Sequence, residues 1–590
     1  MDVVKEMQSP FEKASSLIQS LGWEEGFERL LVELPFKESR DIRLELSPQY
    51  AGWIGLLNPH HCEAAFVIDL GWGSFPIAMS KFYKKVYLVS GEKAVRVCQE
   101  ARIKSLGITN ITYLEESLPF AVPDQTIDTV MLHFLPESLC LQKVFLQEVK
   151  RVLHQEGICL IHFENRYDYI KFQMKPFEKR NSANDNRLSP YTVMRRLKPY
   201  FNAIDLYPCT KSRYQLLSIL MPKCAGTLWE DSVLSAKKRI KQKLQYHIGS
   251  TFGVIASNKA EAPSCVSMIM AEVSDLLNKK KPFTLRRLLV GKPLSLLLFV
   301  GESACPEEFV IKIPLDELTL QKHKSQFLAL TDLSHEPSTE GKTPEPILSG
   351  RCGNFAFFVE RRITGETPYD CSESMTLQAV TFLTKLHCAT STPVVFQENE
   401  FKEHINLPFS RAARWINNPV ELDHLQQGVV TSLACQRIPL VRSHGDFTFD
   451  NLMANPSSGA LTGIIDWDYS MRSSLPLIDL LYFLDYDAMW HQGKSLAEIT
   501  QQRFSPDAYT SFEREIINTY CDRLQISLSL LPAFTVLSWV YCITHRFEAL
   551  GSYRFPDVIH WGIPPVLNTI KRMTTPVPKS AFQLPRKGYE

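Results

Sequence analysis

His444-Gly445-Asp446-Phe447-Thr448-Phe449-Asp450-Asn451, followed by Ile464-Ile465-Asp466-Trp467-Asp468, decides how the carboxyl-terminal half of this chain reads. Asp446 and Asn451 stand five residues apart on one polar segment. That is the H-x-D-x-x-x-x-N spacing with which catalytic loops place a base beside an oxygen ligand. Asp466 follows the apolar pair Ile464-Ile465 and so projects from the end of a short buried strand. Phosphoryl transfer needs these parts: one carboxylate to orient the attacking hydroxyl, and oxygen ligands that hold Mg²⁺ on the nucleotide phosphates. The competing reading is a capped turn followed by an ordinary strand.

As written, HGD-x4-N followed by IDWD resembles the aminoglycoside phosphotransferase and choline kinase-like group of protein kinase-fold enzymes. The resemblance implies a two-lobed α+β fold, with Asp446 as catalytic base and Asn451 and Asp466 as Mg²⁺ ligands. It also implies ATP as donor and a sugar, amino alcohol or glycan hydroxyl as acceptor. His444 would support the loop. Pro476-Leu477-Ile478-Asp479-Leu480-Leu481 resembles the group's Asp-Leu segment, in which Asp479 braces that loop. A carboxylate on so apolar a run needs a buried partner, which fits bracing. Asp450 reads as a surface or substrate-side group, Asp468 as a helix or turn cap, and His387 as a structural C-cap.

Upstream, after Pro282, the pattern is antiparallel: strands at 283–290, 294–300 and 308–313, bounded by Gly291-Lys292-Pro293 and by 301–306. Phe309-Val310-Ile311-Lys312-Ile313 matches the third strand of kinase folds, whose lysine contacts the nucleotide phosphates. Lys312 is either that ligand or an edge lysine. Residues 355–360 read as the strand leading to the hinge, which places Glu360 with the nucleotide. The helix expected over 318–330 should supply a glutamate to Lys312. It offers Gln321, His323, Lys324 and Gln326 instead.

The amino-terminal half begins with a helical cap over 1–44, where Phe11, Leu17, Ile18 and Leu21 share one face. Ala64-Ala65-Phe66-Val67-Ile68 is a strand that ends in Asp69-Leu70-Gly71-Trp72-Gly73, with a helix from about Ile77. Strand, glycine turn and helix make a unit that serves nucleotide-like ligands. Strands at 85–89, 111–114, 126–132 and 158–163 alternate with helices at 93–106 and 141–153, and an antiparallel pair is expected at 201–206 and 214–220.

Over 45–222 this resembles the class I S-adenosylmethionine-dependent methyltransferase fold, a Rossmann-like, mainly parallel α/β sheet. The resemblance places Asp69, Gly71 and Gly73 against the cofactor. The ribose-binding acid is expected at the end of the second strand, where Ser90 stands; Glu92 would reach from two residues on, and Glu115 or Glu116 would meet the adenine edge. The third glycine position is Phe75. Glu164, Asn165 and Arg166, in His162-Phe163-Glu164-Asn165-Arg166-Tyr167, would face the methyl acceptor; the alternative is a helix N-cap. That run looks like the one in bacterial methyltransferase–phosphotransferase fusions. A Rossmann scaffold that has lost its ligand competes with a working cofactor site.

A connector is expected over 223–280, including a basic helix over 231–246. The kinase-like domain then covers 281–590, its N-lobe about 281–362 and its C-lobe about 363–590. The 590 residues exceed what one core holds. Lys plus Arg number 65 against 64 acidic residues, which gives no field directed at nucleic acid. Fourteen cysteines without a C-x-x-C pair disfavour zinc and disulfide frameworks, and no apolar run spans a bilayer. A cytoplasmic protein is expected. The first expectation is thus a phosphotransferase joined to a methyltransferase-like domain. The alternatives are a regulatory nucleotide-binding pseudoenzyme and a kinase whose first domain is purely structural.

Overall fold

The computed structural model describes residues 10–34, 42, 45–46, 54, 57, 62–133 without 116, 142–164, 190–211, 217–219, 251–258 and 265–279. It further describes 283–291, 295–302, 307–492 without 340, 354, 369–371 and 414–418, then 496–504 and 508–550. The basic run 231–246 and the pair Asn165 and Arg166 lie outside the described residues. Two compact units emerge: Met1–Leu320 with Ile347–Glu360, and Gln321–Pro346 with Arg361–Glu590.

In the first unit, β1 (Ala64–Asp69), β2 (Lys85–Val89), β3 (Ile111–Tyr113), β4 (Ile127–His133) and β5 (Leu153–Glu164) pair in parallel in the order β3-β2-β1-β4-β5. The β4 residues are buried throughout, as parallel strands covered on both faces must be. This is the Rossmann-like order, with the helices Ser74–Met79, Lys93–Ser105 and Lys143–Val152 as crossovers. The expected antiparallel pair appears as β6 (Ala203–Lys211) and β7 (Leu217–Ile219). A strand read as part of the connector, β8 (Thr251–Ser257), lies between β5 and β6 and pairs with both. Its Val254 and Ala256 are fully buried, so it completes the sheet core.

The sheet continues through β7 into β9 (Thr284–Gly291), β10 (Ser295–Gly301) and β11 (Phe309–Pro314), then β13 (Phe355–Arg361) and β12 (Pro346–Cys352), for thirteen strands. One apolar cluster runs from Val67 and Leu88 beneath the parallel strands to Leu298, Ile311 and Phe357 beneath the antiparallel ones. The helices Pro10–Leu21 and Trp23–Glu33 cap the glycine turn: Phe11 stacks on Trp72 at 4.3 Å and Phe27 meets it edge-on at 5.6 Å.

The second unit is mainly helical. Its helices Glu373–Thr390, Pro419–Leu433, Ile478–Gln492, Ser511–Leu524 and Leu531–Leu550 bury a core that includes Leu386, Phe483, Tyr520 and Leu537. Ser372 caps the first of these by accepting from the Met375 N–H, and Thr510 with Glu513 forms a capping box on Ser511–Leu524. A small sheet of β14 (Thr392–Val395), β15 (Arg437–Ser443) and β18 (Met471–Ser474) and the hairpin of β16 (Leu452–Ala454) and β17 (Leu461–Ile464) carry the polar stretch.

Candidate functional site

The buried strand β15 delivers His444-Gly445-Asp446 from its end. The hairpin then explains why residues so far apart in sequence meet. Leu452 pairs with Ile464, so the residue before one stands opposite the residue after the other, and the Ile465 N–H donates to the Asn451 carbonyl at 2.9 Å. His444 closes the set: its Nδ1 accepts from the Asp446 N–H at 3.2 Å, and its Nε2 donates to the Ile465 carbonyl at 3.0 Å. The structure therefore brings Asp446, Asn451 and Asp466 onto one hydrogen-bonded frame, with His444 inside it.

Asp479 braces that frame directly. Its two oxygens accept the His444 N–H at 2.6 Å and the Gly445 N–H at 2.9 Å, and His387 Nε2 stands 3.7 Å away. Burial pushes this carboxyl up, but the contact with His387 and the donors at His444 hold it below the ordinary aspartate value. His387 is not a C-cap: Ser391 holds that position, and His387 is fully buried with Nδ1 2.6 Å from the Tyr520 hydroxyl. That hydroxyl accepts from the Leu477 N–H, so it donates to His387. Burial raises the Tyr520 hydroxyl well above the ordinary tyrosine value, which keeps this proton available for donation. Nothing local in the sequence marks Tyr520, which is 133 residues from His387.

A Mg²⁺ ion asks for hard oxygen ligands. Asn451 Nδ2 faces two acceptors, the Asp446 carbonyl at 2.9 Å and carboxylate at 3.2 Å, which fixes the amide orientation and turns Oδ1 away from them. The Asp466 carboxylate is exposed and takes no hydrogen bond among the described residues. The Asp466 carboxylate and the Asn451 amide oxygen are donors of the kind that cation takes. Among the described residues no three His, Cys, Asp or Glu side chains group as a metal site of their own. Asp466 has φ +70°, a left-handed conformation that aspartate tolerates better than most residues. Such outliers persist where neighbours over-determine them. Asp450 is exposed and accepts from the Tyr486 hydroxyl at 2.6 Å.

Gly445 has φ +86°, and a Cβ there would stand 2.6 Å from Tyr469 Cβ and closer still to the Tyr469 carbonyl oxygen. Gly445→Ala is expected to cost about 2 kcal/mol or more through the left-handed backbone and the overlap. A urea melt with a midpoint unchanged from wild type would contradict this account of the turn.

In the first unit, Lys312 lies in β11, whose residues are all buried, and its Nζ is 3.0 Å from Glu360 Oε1. The carboxylate missing from the helix Glu317–Leu333 is supplied by the neighbouring strand β13. Glu360 thus turns its side chain to Lys312.

The glycine turn of the first unit is also internally bonded. Asp69 is 1% exposed, and its Oδ1 accepts from the Gly71 N–H at 2.8 Å and faces His133 Nδ1 at 2.9 Å. Gln99 Nε2 donates to the carbonyls of Asp69 and Gly71, and Arg102 donates to the Trp72 carbonyl. Gly73 has φ +82° with Gln99 3.3 Å from where a Cβ would be. Gln99 and Arg102 are spaced three apart on the buried face of Lys93–Ser105, a polar pair on an apolar face that sequence reading passed over. Phe75 is fully buried, 4.5 Å from the His133 ring, which stacks on His162. Glu92 and Glu115 are exposed beyond β2 and β3, where ribose and adenine contacts are expected. Glu164 ends β5. Asp69 Oδ2 is buried without a hydrogen-bond partner among the described residues, and the buried Phe75 ring fills the third glycine position of the turn.

Residues 297–514 match the phosphotransferase enzyme family APH. No curated protein matches the sequence. Among solved structures, the chain is similar to aminoglycoside phosphotransferase APH(3'')-Id from Streptomyces rimosus, at 13% identity over 47% of this chain and 97% of that one, with a TM-score of 0.30. It is also similar to a SAM dependent methyltransferase from Aquifex aeolicus, at 18% identity over 36% and 91%, with a TM-score of 0.24. A SAM dependent methyltransferase from Archaeoglobus fulgidus aligns at 15% identity over 36% and 94%, with a TM-score of 0.25.

Proposed function

We propose that this chain is an ATP- and Mg²⁺-dependent phosphotransferase acting on a hydroxyl of a sugar, amino alcohol or glycan. The observation that carries the reading is the Asn451 amide donating to Asp446, which aims the carboxylate and frees an oxygen for a cation in one contact. Asp446 orients the acceptor hydroxyl and takes its proton as the oxygen attacks the γ-phosphorus of ATP and ADP leaves. Asn451 and Asp466 hold Mg²⁺, and Lys312 binds the phosphates. Bound Mg²⁺ would neutralise charge on the nucleotide phosphates. The second residue set serves orientation: His444 and Asp479 fix the loop against which the hydroxyl docks.

Methyl transfer is not part of this reading, because a fully buried Phe75 ring, packed on His133, occupies the third glycine position of the turn. The proposal places the protein in the cytoplasm, which suits free thiols such as the buried Cys98, Cys159 and Cys521. ATP with Mg²⁺ is expected to raise the melting temperature; at 100 times Kd the stabilisation is about 2.7 kcal/mol. A panel of hydroxylated acceptors, read by phosphate incorporation from labelled ATP, then identifies the substrate. Absence of any thermal shift with Mg²⁺ and ATP would sink the proposal.

A further inference from the structure

Lys312 pairs with Glu360, and the helix Glu317–Leu333 makes its ties within the second unit through Lys322 and Asp332. Lys322 Nζ stands 3.4 Å from Asp468 Oδ2, hydrogen-bonds the Tyr469 hydroxyl, and lies 4.1 Å over the Tyr469 ring. Both members of the ion pair are largely covered, at 14% and 12% side-chain exposure. A further tie lies along the same helix, where Asp332 accepts from Arg442, two residues before His444, and from Arg472.

We infer that Lys322 is a positioning residue for phosphoryl transfer: by gripping Asp468 and Tyr469 it fixes where Asp466 presents its carboxylate. This rests on the metal role proposed above for Asp466. Asp466 sits in a strained left-handed conformation, and that strain persists only if both flanks are held. The upstream flank is held by Ile465, bonded to Asn451 and His444. On the downstream side Trp467 is fully buried, with Nε1 donating to the Ile464 carbonyl at 2.9 Å and its ring 4.5 Å from His444. Beyond Trp467 the segment leaves the core, and Lys322 engages the next two residues at once. Tyr469 in turn packs its backbone on Gly445, so the same grip reaches the loop that carries Asp446.

The helix thus grips the metal segment through a cation, while the strand lysine finds its carboxylate on β13. The strand lysine and the metal segment are each held by their own ion pair, Lys312 with Glu360 in one unit and Lys322 with Asp468 in the other.

The test uses the full chain, the non-hydrolysable ATP analogue AMPPNP, and Mn²⁺ followed by electron paramagnetic resonance. Loss of an outer group that orients a metal ligand weakens metal binding by roughly 10-fold or more. Lys322→Met is expected to show that weakening of Mn²⁺ affinity, with AMPPNP affinity in the absence of metal unchanged. Lys322→Arg, which keeps a cation over Tyr469 and beside Asp468, is expected to restore most of it. A role confined to stability would move the melting temperature and leave this split flat. Asp468→Asn removes the same pair with one changed atom and must shift Mn²⁺ affinity the same way if Lys322→Met does not fold. Wild-type Mn²⁺ affinity in Lys322→Met or in Asp468→Asn, alongside a clear loss in Asp466→Asn, overturns the inference alone. Wild-type affinity in Asp466→Asn removes the metal assignment, and the inference falls with it.

Discussion

Asp446→Ala is expected to lower phosphoryl transfer by about 10²- to 10⁴-fold, the range a positioned general base contributes. Stability should barely move. The backbone at Asp446 is held by groups the substitution leaves in place: its N–H donates to His444 Nδ1, and its carbonyl accepts from Asn451 Nδ2 at 2.9 Å. The hydrogen bond that its carboxylate accepts from Asn451 is long, at 3.2 Å, and the residue is half-buried. Loss of one such bond is worth about 1 kcal/mol or less. Binding of ATP with Mg²⁺ should persist, because the oxygens proposed as ligands belong to Asn451 and Asp466. The measurement is initial rate on an acceptor that the wild type phosphorylates, with melts and nucleotide titrations on the same preparations. Turnover at the wild-type rate would end the assignment of Asp446. A rate loss accompanied by collapse of the melting temperature would relocate its role to folding.

The parts of this site that were legible in the sequence are those encoded within one short segment. His444, Asp446 and Asn451 belong to a single loop, and the apolar pair before Asp466 announces the strand that delivers it. Asp479 was legible for a different reason: a carboxylate on a buried helix must have partners, and here it has two N–H donors. The Rossmann strands could be read because parallel strands buried on both faces leave continuous apolar runs.

What stayed hidden depends on pairings across the chain. The partner of Lys312 was sought on the following helix, but strand order sets β13 beside β11 and makes Glu360 the nearer acid. No periodicity in β8 tells that it inserts between β5 and β6. Lys322 and Tyr520 look like ordinary helix residues until Asp468 and His387 arrive from 146 and 133 positions away. Phe75 was read correctly as a departure at a glycine position, while its cause, packing on His133 and His162, required three strand ends in register.

Asp479→Ala should have the opposite signature to Asp446→Ala, losing stability and activity together. Asp479 is 2% exposed, and its removal takes the acceptor from two backbone N–H groups, at the fully buried His444 and at Gly445. Removing one partner from a buried charged arrangement costs about 3–5 kcal/mol. The loop that carries Asp446 then loses its anchor, so the rate falls even in molecules that remain folded. The pH dependence adds an independent check. The folded-state value of Asp479 is depressed: burial raises it, but His387 and the donors at His444 more than offset this. A depressed carboxylate contributes stability that is fully present above its unfolded value, about 3.9, and is lost as pH falls through the folded value. The charge of Asp479 therefore stabilises wild type over the variant above about pH 4, and the gap should narrow as pH falls below that. Urea melts on both sides of that pH measure it. A gap that stayed constant into acid would show that Asp479 does not act through its charge. Were the variant as stable as wild type at neutral pH, Asp479 would not brace the loop at all.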